Sequence, residues 1–236
     1  MTLSWAELPA LFPQLPGAGR WLPLLQRHAT LIAEAAPRVR VTAVTPEDAV
    51  RRQYAESLEL LRIVADHSPN LLEIGDVGSG GGFPGLVIAI VQPDTQIHLV
   101  EPLKKRAAFL SECVEALGLL NVVVHAARGE EAGRGPLRDS LAVVTARAVA
   151  ELRELLEYTA PLAAPGGCVA FPKGSSFEAE LNAAAASIAA LSCTFEALRP
   201  MRPEVSATLS VALFRKLSLT AAAYPRRPGV PAKRPL

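Results

Sequence analysis

From residue 71 onward the chain alternates short apolar runs with segments whose apolar positions recur at helical spacing. The strands predicted from the apolar runs span about 71–77, 96–101, 121–125, 141–146 and 167–171. The helices predicted between them span 84–92, 103–117, 149–163 and 175–191. Two later apolar runs, near 193–199 and 207–214, predict a closing antiparallel pair. This alternation predicts an α/β fold with a seven-stranded, mainly parallel sheet and helices on both faces.

The segments on either side of this region differ from it in pattern. Residues 1–70 predict an N-terminal helical extension, because apolar residues recur at helical spacing after Trp21 and Thr45-Pro46 is typical of a helix start. The turn sequence Ser68-Pro69-Asn70 closes that extension, and the sheet domain then covers 71–220. The tail, 221–236, is basic and rich in proline, which predicts an extended conformation.

Composition narrows the class of protein. Half of the residues are apolar, which is enough for a large core, and the formal net charge is only +1. The three cysteines are odd in number and widely spaced, as expected in a reducing cytoplasm, and they form no zinc or CxxC pattern. The sequence shows neither a signal peptide nor an apolar run that could span a membrane. We therefore expect a cytoplasmic protein with no metal site and no membrane segment.

A glycine-rich stretch follows the first predicted strand, and its spacing distinguishes two kinds of nucleotide site. Gly80-x-Gly82-x-x-Gly85 matches the dinucleotide fingerprint, but Gly80 lies three residues beyond Val77, too late to form the turn at the end of the strand. Gly78-x-Gly80-x-Gly82 begins directly after the strand. This spacing resembles the first motif of class I S-adenosylmethionine-dependent methyltransferases. A surface loop without a ligand is the alternative.

Carboxylates and a glycine follow the next two predicted strands. Ligands of open α/β sheets collect at the carboxyl ends of the strands. Glu101 follows the second strand, where a carboxylate accepts hydrogen bonds from ribose hydroxyls or, alternatively, caps the next helix. Gly129 and Glu130 follow the third strand, in the loop that usually lines the adenine in this architecture. The backbone of Gly129 and the side chain of Glu130 are therefore predicted contacts of the base.

The same ends of the strands carry cations. Lys104, Lys105 and Arg106 lie in a predicted first helical turn, where the helix dipole disfavours positive charge. The remaining strand ends carry Arg128, Arg147 and Lys173. Cations at four strand ends indicate a bound anion, either the carboxylate of the cofactor or phosphates of a nucleic acid. A solvated basic surface is the alternative.

Missing motifs narrow the reaction further. Methylation of a pyrimidine carbon needs a cysteine nucleophile, but no cysteine follows a proline at a predicted strand end. Methylation of an exocyclic adenine nitrogen usually relies on an Asp/Asn-Pro-Pro-aromatic loop, and Ala146-Arg147-Ala148 stands in its place. A guanine ring nitrogen with a free lone pair can attack a methyl sulfonium without prior deprotonation. Alignment and electrostatics then suffice, and arginine and lysine can supply both.

These motifs together are similar to one bacterial family. The residues that carry the likeness are Asp76 to Gly85, Lys105-Arg106, Arg147-Ala148-Val149-Ala150, Lys173-Gly174 and Tyr224 to Gly229. They resemble the RsmG family, also called glucose-inhibited division protein B, from about Val39 to the C-terminus. Three family elements are altered, at Arg40-Val41-Thr42, at Gln53 to Leu58 and near Ala207-Thr208-Leu209. The cofactor motifs are intact, whereas the N-terminal region that faces RNA departs from the pattern.

The resemblance implies an enzyme that uses S-adenosyl-L-methionine to methylate ring nitrogen seven of a guanosine in 16S ribosomal RNA. It implies cofactor contacts at Gly78, Gly80, Gly82, Phe83, Glu101, Gly129, Glu130 and Arg147. It implies catalytic roles for Arg147, Lys173 and Arg128, and RNA contacts at Lys105, Arg106, Arg226 and Arg227. The expected partner is small-subunit RNA or an assembling subunit, and we expect a monomer. A small-molecule methyltransferase and a non-catalytic RNA-binding assembly factor with the same fold are the alternatives.

Overall fold

A computed structural model of the chain describes residues 3–68 and 70–236. Its α-helices are α1 (Leu8–Leu11), α2 (Ala18–Ala35), α3 (Pro46–Ala49), α4 (Glu56–His67), α5 (Gly85–Val91), α6 (Lys104–Ala116), α7 (Gly129–Ala132), α8 (Leu152–Thr159), α9 (Phe177–Ala183), α10 (Ala185–Ala190) and α11 (Val230–Lys233). Its strands are β1 (Glu73–Val77), β2 (Gln96–Val100), β3 (Val122–His125), β4 (Leu141–Ala146), β5 (Ala163–Lys173), β6 (Cys193–Pro200) and β7 (Ser210–Lys216). A short 3₁₀ helix spans Trp5–Glu7, and a π-helical turn, Val50–Ala55, joins α3 to α4.

The seven strands form one sheet in the order β3-β2-β1-β4-β5-β7-β6. Strands β1 to β5 pair in parallel, whereas β7 runs antiparallel to both β5 and β6. The predicted seven-stranded, mainly parallel α/β sheet is confirmed. Because the strand order reverses direction at β1, the carboxyl ends of β1, β2 and β4 border one crevice.

The N-terminal helices pack onto the sheet. Buried residues of this segment, such as Leu8, Trp21 and Tyr54, belong to the same apolar cluster as Ile74 of β1 and Leu86 of α5. A second cluster on the opposite face contains buried residues of α8, β5 and β7. The predicted extension therefore shares a core with the sheet. The predicted boundary Ser68-Pro69-Asn70 includes Pro69, which lies outside the described residues.

Two sequence predictions were wrong in detail. The helix predicted over 175–191 is divided at Ala184 into α9 and α10. The tail is docked rather than extended, and it contains α11. Arg134 donates to the carbonyl of Pro225 at 2.6 Å, and Arg138 donates to that of Tyr224 at 2.8 Å. The side chains of Arg134 and Arg138 thus bind carbonyl groups of the tail backbone. A proline-rich composition does not reveal such contacts.

The tail is also anchored by a charge pair with a buried member. Glu157 of α8 is fully buried, and its carboxylate accepts hydrogen bonds from both the backbone N–H and the guanidinium of Arg226. The pair raises the pKa of Arg226 because the bonds favour its charged form. This places Arg226, a residue predicted to contact RNA, in a structural role, whereas its neighbour Arg227 is exposed.

We expect Arg226→Ala to destabilise the protein by about 2–4 kcal/mol, because it leaves the Glu157 carboxylate buried without its cation. Arg227→Ala is the matched control and should change stability by less than about 0.5 kcal/mol. The free energy of unfolding from urea titration measures both. Equal stabilities for the two variants would show that Arg226 does not anchor the tail.

In the described part of the chain, no helix combines the length and apolar character needed to cross a membrane. The three cysteines all lie within that part, and each is free and buried.

Candidate active site

The glycine-rich loop between β1 and α5 forms the floor of the candidate site. Gly78, Gly80 and Gly82 have φ angles of 76°, 56° and 95°, in the left-handed region that favours glycine. A Cβ on Gly78 would lie 2.5 Å from a methyl group of Val149. A side chain at position 78 would therefore be both strained and blocked, which explains why the chain carries glycine at this turn.

Asp76 holds the loop from below. Its Oδ2 accepts the backbone N–H of Gly85 at 3.0 Å, at the start of α5, while its backbone carbonyl accepts the hydroxyl of Ser79. The side chain is completely buried, and Oδ1 has no hydrogen-bond partner among the described residues. Burial raises the pKa of Asp76 to about 6, although the Gly85 N–H favours the charged form.

Glu101 holds the loop from the end of β2. Its Oε2 accepts the backbone N–H of Gly80 at 2.9 Å, and its Oε1 accepts that of Leu103, just before α6, at 2.9 Å. The sequence left open whether this carboxylate binds ribose hydroxyls or caps the next helix. In the structure it accepts hydrogen bonds both at the start of α6 and in the glycine loop. Each carboxylate oxygen can accept a further hydrogen bond, so capacity for a hydroxyl donor remains.

Arg147 reaches the site from the end of β4 and meets the N-terminal extension there. Its Nη1 donates to the carbonyl of Arg52 at 2.6 Å and lies 3.4 Å from Oε2 of Glu56. Its guanidinium lies over the ring of Phe83, 5.4 Å from the centroid. Burial lowers the pKa of Arg147, and the nearby carboxylates oppose that shift. Burial likewise raises the pKa of Glu56, against the effect of Arg147.

The π-helical turn makes the Arg147 contact possible. The N–H of Glu56 donates to the carbonyls of Arg51 and Gln53, so it bypasses Arg52, its partner in a regular α-helix. Arg147 donates to the carbonyl that is bypassed. The irregular turn thus presents a backbone acceptor to the partly buried guanidinium of Arg147.

A cavity of about 440 Å³ opens between the loop and the N-terminal segment. Cations from three elements line it, namely Arg52, Arg106 and Arg147. The rest of its wall includes residues 41–44, Gln53, Glu56, residues 78–81, Phe83, Ala148, Pro172 and Leu209. The segment 41–44 crosses the loop, held by Arg106, which donates to the Arg40 carbonyl, and by Gln53, which donates to Thr42 Oγ1. The cavity therefore combines bare backbone, one aromatic ring and positive charge.

Two of the other predicted site residues form hydrogen bonds with groups outside the cavity lining. Lys173 Nζ donates to Oε2 of Glu180 at 2.6 Å, and the Glu130 carboxylate accepts the N–H of Gly229 at 2.9 Å. Gly129 is packed so tightly that a Cβ would lie 2.7 Å from the Tyr158 carbonyl. Arg128 precedes α7 with an exposed side chain, and in the described structure neither it nor Lys173 lines the cavity. The roles predicted for these residues stay predictions.

Comparison with known proteins agrees with this geometry. A family model described as rRNA small subunit methyltransferase G (GidB) matches residues 22–203. The chain belongs to this family. A ribosomal RNA small subunit methyltransferase G of Roseiflexus castenholzii is 41% identical over 201 residues, which are 84% of this chain and 85% of the relative. One of Symbiobacterium thermophilum is 40% identical over 217 residues, 89% of this chain and 87% of the relative.

Solved structures show the same fold. A SAM-dependent methyltransferase from Aquifex aeolicus superposes with a TM-score of 0.52 at 15% identity, covering 74% of this chain and all of that one. The predicted class I methyltransferase fold and the predicted membership of the GidB family are therefore confirmed. Among the described residues, no group of three or more His, Cys, Asp or Glu side chains could hold a metal ion.

Sequence reasoning missed part of the site of this GidB family member. Glu56 and the carbonyl of Arg52 approach Arg147 across a separation of more than ninety positions. The signal in the sequence was the altered family element from Gln53 to Leu58, which contains Glu56. His28 was missed as well, and it contacts the loop through the carbonyl of Gly81 at 2.9 Å.

The buried Asp76 predicts a pH dependence of stability. Its pKa is about 6 when folded and roughly 3.9 when unfolded, so between these values the folded state binds more protons. Its contribution to wild-type stability therefore falls as pH rises from about 4 to 6. In Asp76→Asn, the amide oxygen can still accept the Gly85 N–H without a buried charge. We expect the free energy of unfolding of the variant to rise, relative to that of the wild type, by up to about 3 kcal/mol across this range.

Urea unfolding of both proteins between pH 4 and 8 measures that difference. The interpretation fails if the two proteins differ by the same free energy of unfolding at every pH.

Proposed function

We propose that this chain transfers a methyl group from S-adenosyl-L-methionine to ring nitrogen seven of a guanosine in small-subunit (16S) ribosomal RNA. Its membership of the GidB family supports this reaction, as do relatives that carry the name ribosomal RNA small subunit methyltransferase G over more than four fifths of the chain. The chain is a methyltransferase, and S-adenosyl-L-methionine is its cofactor. The observation that carries the proposal is the cavity where Arg147 and Phe83 meet the glycine loop.

The residues present fit this cofactor. Gly78, Gly80 and Gly81 offer bare backbone to the cavity, and a Cβ on Gly81 would lie 3.3 Å from the carbonyl of Val41 and narrow it. Glu101 has lone pairs left for hydroxyl donors beside the loop. The guanidinium of Arg147 suits a carboxylate. We infer that Gly78, Gly80, Gly82, Phe83, Glu101 and Arg147 hold the cofactor.

When bound, the cofactor supplies a methyl group activated by a positively charged sulfur. The lone pair of guanine ring nitrogen seven can attack without prior deprotonation, so the cavity does not have to supply a general base. The protein therefore has to align the guanine and exclude water. The segment 41–44 and the ring of Phe83 enclose the cavity, and Arg147 is fixed there by Arg52 and Glu56. Alignment by these groups is the role we propose for the chain.

The RNA substrate would approach the open side of the cavity. Arg106 lines the cavity, and the exposed Lys104 and Lys105 precede it in the first turn of α6. Cations placed there against the helix dipole are more useful for phosphates than for helix stability. Action as a monomer stays a prediction from the sequence. We place this activity in the cytoplasm, where small subunits are assembled.

We expect the purified protein to transfer methyl from S-adenosyl-L-methionine to small ribosomal subunits or their RNA that lack the modification. Mass mapping should find one product, 7-methylguanosine. Arg147→Ala should remain folded and lose at least about 10-fold in kcat/KM, because the cavity loses the guanidinium that lies over Phe83. Arg153→Ala, an arginine in the following helix α8, is the matched control. A protein that binds the cofactor but methylates neither substrate would contradict the proposed function.

Lys105 should contribute to RNA affinity only through contact with a phosphate group of the RNA. We expect Lys105→Ala to weaken RNA binding several-fold and to reduce the slope of log affinity against log salt by about 1, because one phosphate contact is lost. Calorimetry should give an unchanged affinity for S-adenosyl-L-methionine. Arg27→Ala, which removes an arginine paired with Glu34 on α2, is the control and should leave the slope unchanged. An unaltered slope for Lys105→Ala would remove this residue from the RNA face.

A further inference from the structure

His28, in the N-terminal helix α2, is a completely buried polar residue whose two ring nitrogens both have partners. Its Nε2 lies 2.9 Å from the carbonyl oxygen of Gly81, and its Nδ1 lies 3.2 Å from the hydroxyl of Tyr54. A carbonyl can only accept, so Nε2 carries the proton and donates it. Nδ1 is then the acceptor of the Tyr54 hydroxyl. The Gly81 carbonyl therefore specifies the tautomer with the proton on Nε2, and the Tyr54 hydroxyl is compatible with it because it can donate to Nδ1.

The environment keeps the ring in that neutral state. Burial lowers the pKa of His28 to about 4, and the Gly81 carbonyl opposes the shift only in part. Phe83 and Tyr54 pack against the ring, with centroids 5.2 Å and 5.8 Å from it. The imidazole is consequently held neutral, with a single N–H that donates to the loop.

Gly81 is the middle one of three consecutive glycines in the loop. It is flanked by Gly80 and Gly82, both with positive φ, and glycine loses more backbone freedom on ordering than any other residue. Glu101 fixes the N–H of Gly80 from the sheet, and His28 fixes the carbonyl of the next residue from the N-terminal helix. The two bonds hold the loop on both sides of one peptide group.

The same cluster reaches a predicted cofactor contact. The ring of Phe83 packs against Tyr54 at 5.1 Å and against His28, and Arg147 lies over it. A change at His28 therefore affects both the loop backbone and the ring of Phe83, over which the Arg147 guanidinium lies.

We infer that His28 is a positioning residue for the cofactor site: its Nε2–H holds the Gly81 carbonyl and preorganises the glycine loop for S-adenosyl-L-methionine. The inference rests on the proposed function, because it assumes that the loop binds this cofactor. It makes the N-terminal helix a part of the cofactor site. A preorganised loop loses less conformational freedom on binding, so the bond should appear in cofactor affinity.

Two substitutions at position 28 separate the hydrogen bond from packing. His28→Leu fills much of the same space but has no donor, and we expect it to lose on the order of 10-fold in affinity for S-adenosyl-L-methionine. His28→Gln places an amide N–H near the position of Nε2, and we expect its affinity to lie within about 3-fold of the wild type. Calorimetry with S-adenosyl-L-methionine and the full-length protein measures both, and thermal unfolding confirms that each variant is folded.

Tyr54→Phe is the matched control in the same cluster. It removes the hydroxyl that Nδ1 accepts but leaves the bond to Gly81, so we expect lower stability with cofactor affinity close to the wild type. If His28→Leu fails to fold, His28→Asn replaces it, because the shorter Asn amide cannot extend to the Gly81 carbonyl.

The outcomes distinguish this inference from the proposed function. If the wild type itself does not bind S-adenosyl-L-methionine, the proposed function fails. If the wild type binds and the Leu (or Asn) variant binds equally well, the role of His28 is overturned. An equal loss in the Gln variant would show that His28 acts only through packing and would overturn it also. An equal loss in Tyr54→Phe, which keeps the Gly81 bond, would show that cofactor affinity does not follow that bond and would overturn the inference as well.

Discussion

The site depends on a glycine-rich loop whose own backbone bonds, such as Gly82 N–H to the Ser79 carbonyl, fix only part of its shape. Its residues at positive φ have no side chains that could contribute, so side chains of the surrounding structure hold the rest. Three buried polar side chains do so from three directions: Asp76 on the Gly85 N–H, Glu101 on the Gly80 N–H and His28 on the Gly81 carbonyl. Burying such groups is unfavourable unless they are hydrogen-bonded, and each of them bonds to the loop.

The N-terminal helices follow from the same requirement. Arg147 is partly buried beside the loop, and it is stabilised there by the Arg52 carbonyl, the Glu56 carboxylate and the Phe83 ring. The first two of these come from the turn at the start of α4. A sheet domain alone would leave the guanidinium without them. The extension therefore completes the electrostatics of the cavity and also covers one face of the sheet.

The sequence predicted the parts of this structure that are local. The alternation of strands and helices, the turn at Gly78 and the cations after β2 and β4 can all be read from neighbouring residues. His28 could not be predicted, because a lone histidine on an apolar helix gives no sign that it contacts a loop 53 positions away. The π turn at Val50–Ala55 was hidden in the same way, since the carbonyl that it leaves free contacts the distant Arg147. Likewise, the composition of the tail did not show that Glu157 would neutralise Arg226.

The distribution of charge indicates how RNA could be recognised by a protein of net charge +1. Some predicted basic residues are neutralised within the structure, as Lys173 is by Glu180 and Arg226 is by Glu157. Others remain exposed at the ends of the strands and in the tail, among them Lys105, Arg128 and Arg227. Because acids and bases nearly cancel over the whole chain, long-range attraction to RNA is weak. We expect recognition to depend on short-range contacts with exposed cations, of which Lys105 lies beside the cavity residue Arg106.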